Sequence, residues 1–414
     1  MSVELSSKRL LGINGLGRIG KLSLWYQLHR RHFDGVVINL GRKVGRGLED
    51  VLHAVTTDST YGPLERFLHG TGAKLEARVL DSAQGLLEIE GMPVKVLREA
   101  RDPAAIGWRR EGVALVVDST GTFLDPTVEP TKPALRGHLE SGAKVVIASA
   151  PFKIKDKARR MPDEAAMLVY GINHTDFDSR RHRLLSAASC TTTALSHMIK
   201  PLLDSQSTAE ILTASMSTIH AATNTQSVLD SVPKDAASDL RKTRAVFENI
   251  ILSTTGAANA LEEILPAIRN VGFMADSVRV PSSTVSLINL NLTFNTQLDE
   301  KGEPVITREL LNGIYQAAAE GPQRGLLVYS DAQNVSADLK GKLASVVIEG
   351  HENHTRVAFL NIPPGRLAAL GVKSESPLRL PVTHAKVFGW YDNEYGSYVF
   401  CLNELAIYVD KRMG

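Results

Sequence analysis

The sequence predicts an α/β protein: a doubly wound, mostly parallel sheet, then an α+β part built on a mostly antiparallel sheet. Two observations carry this. In the first half, short apolar runs bounded by glycine alternate with helical patterns, the signature of parallel strands buried on both faces. After residue 189 the runs lengthen and alternate Val/Leu/Ile with Ser, Thr and Asn, as half-buried strands do.

The elements follow in order. Arg9–Ile13 and Gly35–Leu40 read as strands, with a helix over Lys21–Arg31 between them. Lys74–Val79, Gly85–Ile89 and Met92–Val96 resemble short antiparallel strands inserted into the α/β pattern. Ala114–Asp118 and Lys144–Ser149 return to buried parallel strands. Thr192–Leu203 reads as a helix, Glu210–Ile219 as a strand rich in Thr and Ser, and Val285–Phe294 as an alternating strand. Asn361–Pro381, rich in Pro, Gly and Ser, reads as an irregular insertion. Ser397–Lys411 has apolar residues at helical spacing and is expected to return to the first domain.

Composition narrows the function. The 414 residues are 43% hydrophobic and 22% charged with a net charge of +2, ordinary for a globular protein and without the basic excess that nucleic acid or an anionic membrane would attract. No apolar run approaches the ~18–20 residues needed to span a bilayer. Two cysteines exclude a disulfide framework and fit a reducing compartment. With no readable signal peptide after Lys8-Arg9, the expected location is the cytoplasm.

The first motif is Gly15-Leu16-Gly17-Arg18-Ile19-Gly20, between a predicted strand and a predicted helix. There the glycines permit a tight turn, close approach to a pyrophosphate and close helix–strand packing, and the helix start faces the anion. This is the fingerprint of a Rossmann-type dinucleotide site. The acid expected about 20 residues later, on the ribose 2′-hydroxyl, is absent. Leu40 stands at that strand end, followed by Gly41-Arg42-Lys43. A carboxylate would repel a 2′-phosphate and a guanidinium would attract it, so NADP is favoured and NAD remains possible. The alternative is that Arg42 and Lys43 decorate a solvated loop.

The second motif is Ser189-Cys190-Thr191-Thr192, with Cys190 at a predicted helix start where a thiolate is stabilised. Downstream, Ser217-Thr218-Ile219-His220 ends a predicted strand and offers a base. Spacing alone does not show that the two meet.

Together with Ile13-Asn14 before the glycine motif, Asp118-Ser119-Thr120-Gly121, Thr218-Ile219-His220-Ala221, Ser253-Thr254-Thr255-Gly256-Ala257-Ala258, Arg279-Val280-Pro281 and Trp390-Tyr391-Asp392-Asn393-Glu394, these segments resemble the phosphorylating glyceraldehyde-3-phosphate dehydrogenase family, in its order and over nearly the whole chain. The resemblance implies a Rossmann-type cofactor domain of residues 1–189 with 394–414 and an α+β catalytic domain of 190–393. It implies that Cys190 attacks the aldehyde, that His220 moves the proton, and that inorganic phosphate cleaves the resulting thioester. Thr223, Arg241 and Arg279 would hold the substrate phosphate; Ser189, Thr255, Gly256 and again Arg279 would hold the attacking phosphate, with Thr191 a further substrate- or phosphate-binding residue. Lys242 or Arg244 could take the place of Arg241, because Asp235–Asp239 carries extra residues. Asn14, Gly15, Gly17, Arg18, Ile19, Gly20, Leu40, Arg42, Arg101, Ser119, Thr120, Gly121, Ser231 and Asn393 would line the cofactor site, with no metal. A homotetramer is implied, its S-shaped loop near 223–250 reaching a neighbour's cofactor site.

The chain departs from the family at Ala187 and Thr193, where asparagines usually stand. Ser231-Val232 replaces Leu-Pro, which supports NADP. A tyrosine expected after Asn393-Glu394 falls on Ser397, beside Tyr398. Extra length lies between Ile348 and Lys386. Two alternatives follow: the same chemistry on another aldehyde phosphate such as erythrose 4-phosphate, or a non-catalytic nucleotide-binding paralogue.

Overall fold

In the computed structural model, residues 9–413 are described except Pro130, Lys234, Ala236 and Ser238. The last two fall within the Asp235–Asp239 segment, whose extra residues therefore lie partly outside the described residues. The chain divides into two compact units. The first comprises 1–193, 340–343 and 394–414, and the second 194–339 and 344–393.

The first unit holds a nine-stranded sheet. Its strands are β1 (Leu10–Asn14), β2 (Gly35–Asn39), β3 (Ala77–Asp81), β4 (Leu86–Ile89), β5 (Met92–Leu97), β6 (Leu115–Asp118), β7 (Val145–Ala148), β8 (Ala165–Met167) and β9 (Leu184–Ser186). They lie in the order β3-β4-β5-β2-β1-β6-β7-β9-β8. Every pair from β5 to β8 is parallel, while β3, β4 and β5 pair antiparallel as the inserted meander. The central strands β1, β2, β6 and β7 are buried at every residue, which is why their sequences are continuous apolar runs.

Helix α1 (Arg18–Arg30) follows β1. It ends at Arg31, in the left-handed conformation (φ 56°), with His29 and Arg30 in its last turn where cations are favoured. The helices α2 (Leu48–Thr56), α3 (Leu64–His69) and α4 (Gly137–Glu140) complete the crossovers.

In the second unit, α5 (Cys190–Asp204), which begins in the first unit, precedes an eight-stranded sheet. Its strands are β10 (Ile211–His220), β11 (Ile251–Thr254), β12 (Met274–Arg279), β13 (Ser286–Asn295), β14 (Leu327–Ser330), β15 (Val346–Glu349), β16 (His354–Ile362) and β17 (Leu378–Tyr391). The order is β11-β12-β10-β13-β17-β15-β14, with β16 also on β17. Pairing is antiparallel except β10 with β12 and β14 with β15. Strand β13 alternates buried and half-buried residues along its length. The helices of this unit are α6 (Ala257–Ile264), α7 (Arg308–Glu320) and α8 (Pro364–Ala369). Tyr315 of α7 donates its hydroxyl to the Met198 carbonyl of α5 (2.9 Å). Gly389 of β17 admits α5 closely, since a Cβ there would lie 2.5 Å from Met198 Sδ.

One expectation is corrected. Asn361–Pro381 is not an irregular insertion. Strand β16 runs to Ile362, α8 follows, and β17 resumes at Leu378. The two strands pair in unbroken register from His354↔Lys386 to Ile362↔Leu378, and Arg379 lies over the Phe359 ring at 4.6 Å. Pro and Gly do mark a turn, but only between the strands; the pairing partner decides the rest.

The C-terminal α9 (Phe400–Asp410) packs on α1 through Gln27 Nε2 to Asn403 Oδ1 (2.9 Å), Asn403 Nδ2 to Ser23 Oγ (3.1 Å) and Tyr26 to Glu404 (2.6 Å). Among the described residues no helix is long and apolar enough to cross a membrane.

Candidate active site

The cofactor half of the site lies at the ends of β1, β2 and β6. Gly15 takes φ 96°, and its N–H donates to the Asn39 carbonyl (2.9 Å). A Cβ on Gly20 would lie 2.0 Å from the Gly15 carbonyl oxygen, so only glycine fits where α1 meets the turn. Gly17 instead faces open space, as a glycine does where a ligand backbone approaches. Gly17 caps α1 without any side-chain hydrogen bond, and the first turn carries no acid. The helix start is thus shaped for an external anion, and these residues fit a dinucleotide pyrophosphate. Ser119 Oγ donates to the carbonyls of Asn14 (3.1 Å) and Gly15 (2.9 Å), tying the β6 loop to the glycine turn. Thr120 caps back onto Asp118 Oδ1, and Gly121 turns with φ 64°.

At the end of β2, Leu40 is half-buried and Arg42 and Lys43 are exposed. Arg101 Nε donates to the Gly41 carbonyl (3.2 Å), which brings a second guanidinium to the same turn. Arg18 is differently employed: its side chain bonds Asp58 and Glu394 (3.0 and 2.6 Å to the latter), leaving its backbone amide for an anion. Asp58, which receives Arg18, Lys21 and the Tyr61 amide, was not singled out from the sequence. Burial disfavours its charge, but those donors hold its carboxyl well below the usual range.

Cys190 is the first residue of α5 and is partly exposed. The positive end of the helix dipole favours its thiolate. Ser189 caps the helix: its Oγ accepts from Thr192 N–H (3.1 Å) and contacts Thr192 Oγ1 (2.8 Å), and its carbonyl accepts from Thr193 N–H. Thr191 and Thr193 are buried, as is Ala187, so the departures from the usual asparagines sit inside the packing around Cys190. Ala188 is held left-handed (φ 54°), a costly conformation for a non-glycine residue. The Tyr398 hydroxyl donates to its carbonyl (3.1 Å). Tyr398 reaches this point from a π-helix, Tyr395–Val399, whose wider turn carries one residue more than an α-helical turn and leaves Ser397 buried beside it.

The second unit places His220 at the end of β10, 4% exposed. Arg279, its β12 register partner, brings Nη1 to His220 Nδ1 and to the Ala221 carbonyl (3.2 Å). Nδ1 also lies 2.8 Å from the Ala221 carbonyl. The two neighbours ask for opposite tautomers: the carbonyl can accept from Nδ1–H, and the guanidinium can only donate. Burial, and then the Arg279 charge, push the imidazole down to about 3.

Ser286 links this corner to Asn393. It accepts from Ala221 N–H (3.0 Å) and donates to Asn393 Oδ1 (3.0 Å), so what Asn393 has left for a ligand is its NH₂ group. Thr284 secures the neighbouring Asp392, and Thr218 meets the Tyr391 hydroxyl (2.7 Å). Sequence reading missed Ser286 and Thr284, though each lies two positions from the other at the head of an alternating strand.

The remaining candidates are dispersed within this unit. Thr223 contacts Thr225 and Gln226. Thr255 Oγ1 accepts from Ala257 N–H (3.2 Å), and Gly256 caps α6. Arg241 is exposed and bonds Asp239 (2.8 Å), Arg244 bonds Asp230, and Ser231 meets Ser227 (3.1 Å). Among the described residues no cluster of three or more His, Cys, Asp or Glu could hold a metal ion.

Comparison with known proteins matches these two halves separately. Residues 9–126 match the family model for the glyceraldehyde 3-phosphate dehydrogenase NAD-binding domain, and 189–362 match that for its C-terminal domain. Glyceraldehyde-3-phosphate dehydrogenase 1 of Bacillus subtilis is 32% identical over 405 residues, covering 97% of this chain and 98% of the relative. The enzyme of Priestia megaterium is 33% identical over 96% and 97%, and that of Bacteroides fragilis 32% over 93% and 95%. A nicotinamide-dinucleotide fold with a helix-start cysteine, matched over nearly its full length, places this chain in the glyceraldehyde-3-phosphate dehydrogenase family.

Proposed function

We propose that the chain catalyses the reversible, phosphorylating oxidation of D-glyceraldehyde 3-phosphate to 1,3-bisphosphoglycerate, with NADP favoured over NAD. The observation that carries the reading is Cys190 as first residue of a capped helix, together with a strand-end His220 held against the Arg279 guanidinium.

In this reading Cys190 Sγ adds to the aldehyde carbon while His220 Nε2 receives the thiol proton. His220 returns that proton to the oxyanion to give the thiohemiacetal hydroxyl, and takes it again as the hydride leaves the carbon. The bound dinucleotide supplies the hydride acceptor, and a thioester remains on Cys190. A phosphate oxygen then attacks the thioester carbon, the C–S bond breaks, and the thiolate leaves to the helix start. Arg279, Thr223 and Arg241 bind the substrate phosphate, and Ser189, Thr191, Thr255, Gly256 and Arg279 bind the attacking one. An anion on Arg279 draws the guanidinium away from Nδ1, so that Nδ1–H serves the Ala221 carbonyl and Nε2 is left as base. Asn393 offers its NH₂ to the carboxamide. Arg42 with Arg101, and the small Ser231, suit a 2′-phosphate. The exposed apolar residues Leu229, Val232 and Leu240 suit a homotetramer in which the 223–250 segment is covered by another copy. Two cysteines outside any disulfide suit the cytoplasm.

The test is steady-state oxidation of glyceraldehyde 3-phosphate with NAD and NADP in parallel, each with and without inorganic phosphate, and erythrose 4-phosphate as a second substrate. Phosphate-dependent turnover with the lower KM for NADP is expected. A lower KM for NAD overturns the cofactor reading alone. Turnover confined to erythrose 4-phosphate overturns the substrate, and no turnover by a protein that binds dinucleotide overturns the catalytic reading.

A further inference from the structure

Three neighbouring strands of the first sheet end on polar residues. Asn14 of β1 pairs in register with Asn39 of β2 and with Asp118 of β6, and all three are buried. Each is the last residue of an apolar strand, and each is followed directly by a loop of the cofactor site: Gly15–Gly20, Leu40–Lys43 and Ser119–Gly121. A row of amides and a carboxylate at the centre of a sheet must find hydrogen bonds or destabilise the fold.

The partners form one directed chain. It starts at Trp108, fully buried, whose indole N–H can only donate. That N–H meets His138 Nδ1 at 2.8 Å, so Nδ1 is an acceptor and the ring proton lies on Nε2. Nε2 is 2.9 Å from Asp118 Oδ2, to which it donates. Asn14 Nδ2 donates to the same oxygen (2.8 Å) and lies 3.5 Å from Nε2, two donors converging on one carboxylate. The other carboxylate oxygen takes the N–H and hydroxyl of Thr120 (3.0 and 2.6 Å). Because Asn14 must turn its NH₂ to the carboxylate, its Oδ1 faces Asn39, which donates Nδ2 to it (2.8 Å) and to the Ala100 carbonyl (3.0 Å). Asn39 Oδ1 is thereby left to accept from Gly41 N–H (3.3 Å), at the left-handed turn (φ 63°) between Leu40 and Arg42. Flipping either amide would set carbonyl oxygen against carboxylate or carbonyl, so every orientation follows from the previous one.

We propose that Trp108 and His138 are positioning residues of the dinucleotide site: through Asp118, Asn14 and Asn39 they set the direction of each amide and hold the Gly41 turn that presents Leu40 and Arg42 to the ribose end of the cofactor. This rests on the reading of that turn as the cofactor's ribose site. Burial raises the Asp118 carboxyl, but the donors from His138, Thr120 and Asn14 more than offset it and keep it low, so the hub stays an acceptor. Trp108 and His138 reach the loops that carry the ligand groups through the carboxylate of Asp118.

The experiment uses the full chain with Trp108→Phe, Asn39→Ser and the double variant. Two readouts are taken: hydrogen exchange at the Gly41 amide without cofactor, and Kd for NADPH and NADH by fluorescence. Trp108→Phe keeps an aromatic ring but no donor. It is expected to speed Gly41 exchange about tenfold or more relative to the β7 amides and to weaken dinucleotide binding about tenfold. The double variant is expected to bind no more weakly than Asn39→Ser alone, because the two residues act in one chain. Unchanged Gly41 exchange overturns the proposal whether or not the protein binds dinucleotide. Losses that multiply in the double variant, or a fall in Tm with unchanged Kd, also overturn it. Faster Gly41 exchange in a wild-type background that binds neither dinucleotide upholds the relay and overturns only the reading of the site.

Discussion

His220 sits where two demands conflict. The proposed role as base asks it to take a proton, yet burial and the Arg279 charge hold this imidazole down to about 3 against an ordinary value near 6.5. The folded state therefore binds its proton later than the unfolded state. The stability this residue contributes is complete above about pH 6.5 and is lost as pH falls toward 3. Wild type is expected to lose about 2 kcal/mol more than His220→Asn between pH 7 and pH 5 in urea titrations, and equal losses would contradict the burial argument. At the cofactor turn, Leu40→Asp is expected to shift the ratio of kcat/KM toward NAD by about tenfold or more. A carboxylate there repels a 2′-phosphate, and like charges ~4 Å apart at intermediate dielectric cost on the order of 1–4 kcal/mol. An unchanged NADP:NAD ratio would separate Leu40 from the ribose end.

At the scale of elements, α5 serves its first residue. Ser189 is both cap and a phosphate candidate, and the two roles separate experimentally. Ser189→Ala removes the side-chain acceptor for Thr192 N–H and is expected to cost about 0.5–2 kcal/mol in urea unfolding. If Ser189 also binds the attacking phosphate, the KM for inorganic phosphate rises several-fold while the KM for aldehyde stays put. The β16–β17 ribbon makes a second case. Its register closes at Ile362↔Leu378, and of the α8 residues between only Leu367 is buried. Replacing 363–377 by Asn-Gly is expected to leave Tm within a few degrees, since a shorter loop closes at lower entropic cost. A collapse of Tm would show that α8 is part of the core.

For the whole molecule, the question is what covers the second unit. Leu229 and Val232 are 77% and 89% exposed in the isolated chain, in a segment that the proposed homotetramer would cover with another copy. If the proposed tetramer of this 45.0 kDa chain forms, Leu229→Asp is expected to turn it into smaller species by light scattering, and to raise the KM for the cofactor along with it. A wild type that elutes as a monomer would reassign that apolar surface.

Local chemistry was legible in the residues themselves. Gly15, Gly17 and Gly20 spell a strand–turn–helix because only glycine satisfies the positive φ at the first and the 2.0 Å approach at the third. Cys190 announces a helix start because Ser189 before it is a cap. These signals act within a few residues, and a few residues suffice to read them. What the linear chain withheld depends on partners far along it. Asp118 meets Asn14 only once β6 lies beside β1, and His138 only once α4 packs back on the sheet, while His220 meets Arg279 only across β10 and β12. Tyr398 reaches Ala188 by virtue of one π-turn, and the Pro- and Gly-rich stretch after Asn361 becomes a ribbon because β17 is there to pair with it. Residue type and spacing determined the turns, the caps and the cysteine at a helix start. Strand order and long-range pairing alone decided which polar groups share a buried neighbourhood, because a hydrogen bond is indifferent to sequence distance and exacting about distance in space.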